Sequence, residues 1–282
     1  MMLCVKDISL SLGKMKILEG IHLEAAAGEL CVIMGANGAG KSTLLKVIAG
    51  EYMQYQGSIL IGGQELKTLP VAVQARTRAV LSQQLTLHQP FTVAEIVSMG
   101  RYIYNAHLSA ADKEIIHYAL KVMQVHHLRD RIYPTLSGGQ QQRVQMARVL
   151  TQLLEVPDLQ AADHRGRKML LLDEPVTGMD IQHQQLSLQL ASTLAASGVL
   201  VIAVLHDFQL AAAYAGTLLL LKDGRVYAQG TVEEMFTPAH IKNCFGVDVA
   251  VLEHPHCHYP LVVTAAAGGF FQLPAAKALN VL

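Results

Sequence analysis

Gly35-Ala36-Asn37-Gly38-Ala39-Gly40-Lys41-Ser42-Thr43 follows the apolar run Leu30-Cys31-Val32-Ile33-Met34 and leads into Leu44-Leu45-Lys46-Val47-Ile48-Ala49. The stretch satisfies the spacing G-x-x-x-x-G-K-[ST] in the context that gives it meaning, between a short buried strand and the start of a helix. Glycines let successive backbone N–H groups wrap around phosphate oxygens, and the helix opening at Lys41 points the positive end of its dipole at them. Lys41 can then reach terminal phosphates while the Ser42 hydroxyl ligates Mg²⁺. A glycine turn of purely structural use is the competing reading.

A second run, Met169-Leu170-Leu171-Leu172-Asp173-Glu174, is apolar until it ends in two acids. Acids at the end of a buried strand are costly to place without a use. Asp173 would hold Mg²⁺ through water and Glu174 would polarise an attacking water, with capping of the following helix as the plainer explanation. Strands are expected at 3–5 and 17–23, broken at Gly13, and a hairpin-like pair at 58–61 and 79–81. From Thr92 to about 128 the period is helical, with Val93, Ile96, Val97, Ile115, Ile116, Ala119, Leu120 and Met123 on the apolar face. Helix 140–154, strand 169–172, helix 182–194 and strands 199–205 and 217–221 then alternate. That order predicts a parallel sheet flanked by helices and interrupted by a helical insertion. Residues 264–282 read as a weakly ordered tail.

The chain has 282 residues, with 22 Lys and Arg against 22 Asp and Glu, so it has no surplus of positive charge with which to bind nucleic acid. At this length it can bury one large core or two modest ones without disulfide or metal staples. An apolar fraction of 51% and a charged fraction of 16% leave few charges for the surface, which predicts that part of it is covered. Residues 181–206 lack Asp, Glu, Lys and Arg and are long enough to cross a bilayer. Glutamines in the first half, Ser197-Gly198 in the middle and a β-branched run after it favour a helix, a turn and a buried parallel strand. No secretory pattern opens the chain, and Cys4, Cys31, Cys244 and Cys257 are scattered as in a reducing compartment.

Leu136-Ser137-Gly138-Gly139-Gln140 narrows the reading. With the glycine loop, the acidic strand, Gln83 and His206, it resembles the ATP-binding-cassette ATPase family over residues 1–260. The resemblance implies an α/β fold: a P-loop NTPase core with a parallel sheet, an N-terminal antiparallel β subdomain, and a helical subdomain inserted at about 88–145. It implies ATP and Mg²⁺ as ligands. It also implies a head-to-tail pair of chains in which Ser137 and Gly139 of one copy complete the phosphate site built by Lys41 of the other. Asp180, in Thr177-Gly178-Met179-Asp180, matches the loop that crosses this interface. Gln83, with Gln84 beside it as an alternative assignment, would contact Mg²⁺ and the attacking water and move the helical subdomain. His206 would meet the γ-phosphate and hold Glu174 and the water. By the same resemblance, the aromatic that stacks on adenine is replaced by Leu12, and Val176 and Met179 replace commoner residues.

Residues 89–101, the long polar stretch 155–168 and the C-terminal segments Phe245-Gly246-Val247, Val251-Leu252-Glu253-His254-Pro255 and Pro260-Leu261-Val262-Val263 resemble the importer branch that serves haem, iron chelates and cobalamin. The resemblance implies a peripheral subunit on the cytoplasmic face of a bacterial inner membrane, docked on two permease subunits fed by a periplasmic or surface binding protein. Haem is the expected cargo, with ferric siderophore or cobalamin as alternatives and a soluble factor as a remote one. His254, His256, Cys257 and His258 form a cluster of metal or haem ligand types, set against a purely structural C-terminal ending.

Overall fold

The computed structural model describes residues 1–82, 89–104, 107–155, 168–254 and 256–264. Strands β1 (Leu3–Leu12) and β2 (Met15–Ala25) pair antiparallel, from Leu3 opposite Ala25 to Leu12 opposite Met15. With β4 (Gln56–Ile61) and β5 (Gln64–Glu65) they form a sheet in the order β2-β1-β4-β5. Its inner face, including Leu3, Ile8, Leu18 and Ile21, packs against Leu44, Leu45 and Ile48 on α1 (Lys41–Ile48).

The main sheet has the order β10-β9-β3-β8-β7-β6. In it β3 (Leu30–Met34), β6 (Arg78–Leu81), β7 (Met169–Asp173), β8 (Leu200–Val204) and β9 (Thr217–Lys222) run parallel, and β10 (Arg225–Gly230) closes one edge antiparallel. Every residue of β3, β7 and β8 is buried, which is why these strands read as unbroken apolar runs. The expected hairpin of 58–61 with 79–81 does not form: β4 pairs with β1 and β6 with β7. Pro70 opens α2 (Val71–Thr77), and this helix carries the chain from one sheet to the other, a connection too long for a hairpin. The uncharged stretch 181–206 divides as its pattern predicts, into α6 (Ile181–Ala196) and β8, and among the described residues no helix is long and apolar enough to cross a membrane.

Between β6 and β7 lie α3 (Val93–Ser98), α4 (Ala110–Val122) and α5 (Gly138–Leu153). Thr92, Ser109 and Ser137 open them with reciprocal capping boxes, which satisfy helix-end N–H groups that would otherwise lack partners. The helix α7 (Phe208–Tyr214) joins β8 to β9, and beyond the sheet α8 (Val232–Met235) and α9 (Pro238–Phe245) lead to the hairpin of β11 (Val249–Glu253) and β12 (Pro260–Thr264). Val262 of the hairpin packs into the core. Thr264, the first residue of the expected tail, closes β12, and 265–282 lie outside the described residues.

A buried ion pair ties the helical region together. Arg101 donates to Asp112 Oδ1 at 2.7 Å and to the carbonyls of Thr151 and Leu154 at 2.7 and 2.6 Å, joining α4 to the end of α5. Burial by itself would raise the Asp112 carboxyl, but hydrogen bonds from Ser109 and Arg101, with the guanidinium charge, outweigh it and hold the group at about 2. Removing one partner of such a pair leaves a buried charge uncompensated, so Arg101→Met should cost about 3–5 kcal/mol in denaturant unfolding. A carboxyl depressed on folding stabilises fully above its unfolded value of about 4, and that contribution fades as pH falls toward 2. Asp112→Asn should therefore flatten the decline in stability between roughly pH 4 and 2 relative to the parent protein.

Candidate functional site

The loop between β3 and α1 is shaped by close approach. A Cβ on Gly35 would lie 2.2 Å from the Leu221 carbonyl oxygen, and one on Gly40, at φ +98°, would lie 2.9 Å from a Leu18 methyl. The N-cap of α1 is Gly40, which has no side chain to cap with, so the N–H groups of its first turn are offered to an anion rather than consumed by a cap. Lys41 is buried and donates to the carbonyls of Gly35 at 2.8 Å and Ala36 at 2.9 Å. Burial lowers the pKa of its ammonium, against the pull of Glu174 and Asp173. Asn37, Gly38, Ala39 and Thr43 occupy the loop and first turn as the spacing predicts.

Ser42 donates to Asp173 Oδ1 at 2.9 Å, across 131 residues of sequence. Asp173 is buried at the end of β7, and that burial pushes its carboxyl up, with the Ser42 hydrogen bond acting against it. A hydroxyl and a carboxylate facing each other beside a phosphate loop are hard oxygen donors, a set that fits Mg²⁺. Glu174 follows at φ +50°, a left-handed conformation that turns its side chain away from the strand line. Its Oε1 is 2.7 Å from His206 Nε2, and its Oε2 accepts from the Thr177 hydroxyl at 3.2 Å. His206 reaches it because β8 lies between β3 and β7, so the ends of all three parallel strands open on one edge.

Ser137 opens α5, accepting from the Gln140 N–H at 3.4 Å while Gln140 Oε1 accepts from the Ser137 N–H at 3.1 Å. Gly138 and Gly139 fill the first turn, and a Cβ on Gly139 would lie 2.8 Å from the Gly178 carbonyl oxygen. Ser137, Gly139, Arg143, Gly178, Asp180 and His183 line a cavity of about 310 Å³ that includes no residue of the phosphate loop. Asp180 caps α6 by accepting from the His183 N–H at 2.9 Å. Within one chain, then, the predicted residues form two groups, one around Lys41, Ser42, Asp173, Glu174 and His206 and one around Ser137, Gly139 and Asp180.

Gln83 and Gln84 lie outside the described residues, as do 156–167 of the long polar stretch. Leu12 ends β1 opposite Met15 and packs, partly buried, against the N-terminal core. In the C-terminal turn the His256 N–H donates to His254 Nδ1 at 3.1 Å, and among the described residues no three His, Cys, Asp or Glu side chains form a group that could hold a metal ion. Sequence reasoning missed Thr177, Gln142 and His183. Gln142 donates from Nε2 to the Glu174 carbonyl at 3.4 Å, joining the helix of the Ser-Gly-Gly turn to the acidic pair. The Asp-x-x-His spacing at 180–183 was the available signal for His183, since a cap and the third helical residue face each other.

The two loop glycines that differ most in surroundings give a direct check. Gly35→Ala must displace backbone and should lower the unfolding free energy by several kcal/mol, as strained core positions do. Among the described residues nothing lies within 4 Å of the new Cβ in Gly38→Ala, which bears the strain of φ +79°, about 1–2 kcal/mol. Denaturant unfolding of both variants should rank them in that order.

A family model described as ABC transporter matches residues 18–177. The hemin import ATP-binding protein HmuV of Gloeobacter violaceus is 42% identical over 272 residues, covering 96% of this chain and 97% of its own. Among solved structures, one described as a metal-chelate type ABC transporter in an inward-facing conformation superposes with a TM-score of 0.75 at 23% identity, over 94% of this chain and 97% of that one. The dimeric bacterial ABC transporter cassette MJ0796 superposes with a TM-score of 0.70 at 24% identity, over 82% of this chain and 98% of that one. The two structural likenesses bear on the fold, the family model and the HmuV relative on descent. The chain belongs to the ABC transporter family and is an ABC transporter ATPase.

Proposed function

We propose that this chain drives haem import as one of two identical ATPase subunits on the cytoplasmic face of a membrane permease. The observation that carries the chemistry is the Glu174–His206 contact of 2.7 Å, set directly beside the Ser42–Asp173 contact of 2.9 Å. In this reading residues 1–260 form the nucleotide-binding domain, with the helical insertion at about 88–145.

Backbone N–H groups of 35–43 cradle the phosphates of ATP, and Lys41 exchanges its two carbonyl partners for terminal phosphate oxygens. Ser42 and Asp173 would hold Mg²⁺, Asp173 through water, and a bound ion would supply neutralisation of the phosphate charge. Glu174 takes a proton from the attacking water, and His206, donating from Nε2, keeps the carboxylate turned toward that water. Thr177 fixes the second carboxylate oxygen. Gln83, which lies outside the described residues, keeps the role its sequence position implies, a contact to Mg²⁺ and the attacking water. Ser137 to Gln140 of the second copy close over the γ-phosphate, which explains why they line a cavity apart from the phosphate loop. Asp180 sits at the seam between the two copies.

Two permease subunits and an extracytoplasmic binding protein complete the proposed assembly. Val71 is 81% and Tyr102 60% exposed, and Arg76 on α2 donates to the Ile103 carbonyl at 3.4 Å, so the end of α2 meets the segment that follows Tyr102. These exposed apolar side chains support docking of a permease helix in this region. Haem as cargo rests on likeness to hemin import proteins over nearly the whole chain.

Glu174→Gln should lower ATP turnover by at least about 10²-fold while ATP binding persists and a nucleotide-bound dimer accumulates. Sustained hydrolysis would refute Glu174 as the base. Purification with the permease from native membrane, then reconstitution with haem, cobalamin or a ferric chelate, tests the cargo: ATP-dependent uptake of haem is the expected result. Uptake of another chelate in its place reassigns the substrate, and failure to retain any integral partner argues against the transport role.

A further inference from the structure

His183 stands on the first turn of α6 and does more to Asp180 than a capped helix requires. A cap is complete with the His183 N–H at 2.9 Å on Asp180 Oδ1. Here the imidazole Nδ1 also lies 2.7 Å from Oδ1 and 2.8 Å from Oδ2, so the second carboxylate oxygen, which a plain cap leaves to solvent, is engaged too. The His183 N–H and imidazole hold the Asp180 carboxyl below the usual carboxylate range, and the Arg143 guanidinium adds to the effect. Arg143 is itself buried and anchored on the carbonyls of Met123 at 3.3 Å and Gln124 at 3.1 Å.

The same helix end grips the preceding residue. Gln184 donates to the Met179 carbonyl at 3.1 Å, and the Ser187 hydroxyl approaches the Met179 sulfur at 3.5 Å. At its other end the 174–180 loop is tied by Thr177 and Gln142 to Glu174, and in the middle Gly178 presses on Gly139. One loop therefore connects the proposed base of one nucleotide site to the Ser-Gly-Gly turn that serves the other.

We infer that His183 is a positioning residue for hydrolysis: by fixing both oxygens of Asp180 it holds the 174–180 loop against Gly139, so that the two proposed nucleotide sites align together. This rests on the two-copy reading of the site, and the Glu174→Gln experiment tests that reading separately.

His183→Ala should lower kcat at saturating ATP about tenfold or more, because small displacements of a catalytic loop cost that much. KM for ATP should stay within about twofold, since the phosphate loop is untouched. His183→Asn, whose amide N–H can replace the imidazole N–H, should recover most of the loss, and His183→Phe, which keeps a ring without the N–H, should not. In an Asp180→Ala background, His183→Ala should add no further loss, because the two side chains act as one unit. Unchanged kcat in the Ala and Phe variants, a change confined to KM, or a full additional loss in the Asp180→Ala background would each overturn the assignment. A lower unfolding midpoint with normal kcat would mark His183 as a helix-stabilising residue only, and would do so even if Glu174 proves to be the base.

Discussion

The hydrogen bond from Ser42 to Asp173 depends on nearly everything else in the fold and organises the site in turn. Its two ends lie in different parts of the chain, and they meet only because β3 and β7 are parallel, both flank β8, and end on the same edge of the sheet. Parallel order requires crossovers, and the crossovers supply the covering helices. Apolar burial of β3, β7 and β8 holds the strand ends in place, so two oxygen donors stand side by side at little conformational cost when ligand arrives. Glu174 and His206 extend the same edge by one residue beyond β7 and two beyond β8.

The second group of residues is held by different means. Ser137 and the glycines after it are placed by the capping box of α5, and α5 is fastened at its far end by the Arg101 clamp. The helical region thus has a buried, hydrogen-bonded polar pin at its core, a device that favours one packing over others. The cavity at its tip includes no residue of the phosphate loop, which fits the proposal that a second copy completes each site. The sparse charge of the sequence fits this arrangement, because a subunit proposed to be covered by a second copy and by permease helices needs less charge to remain dispersed.

Much of the candidate site's local geometry was legible in the sequence. The phosphate loop announces itself because its requirements are local: glycines for backbone approach, a lysine and a hydroxyl at a helix start. The acidic pair is legible because a charged end on an apolar strand is energetically conspicuous. The error at 58–61 and 79–81 has the opposite character. Two short apolar segments can pair with each other or with strands elsewhere, and local pattern does not distinguish these outcomes. Thr177, Gln142 and His183 went unread because each acts through a partner whose nearness is set by loop conformation, Glu174 at positive φ among them.

Sequence alone determined the local features on which the proposed chemistry rests: a glycine loop at a helix start, a strand ending in two acids and a Ser-Gly-Gly helix start, each encoded within a few adjacent residues. Tertiary structure decided which of these meet. It set Ser42 on Asp173 and His206 on Glu174, kept Ser137 apart from Lys41, and locked Asp180 onto His183. The physical reason is range. Helix starts, caps and glycine turns are governed by neighbours three or four residues away, whereas strand order and loop docking follow from burying one particular apolar surface against another far along the chain.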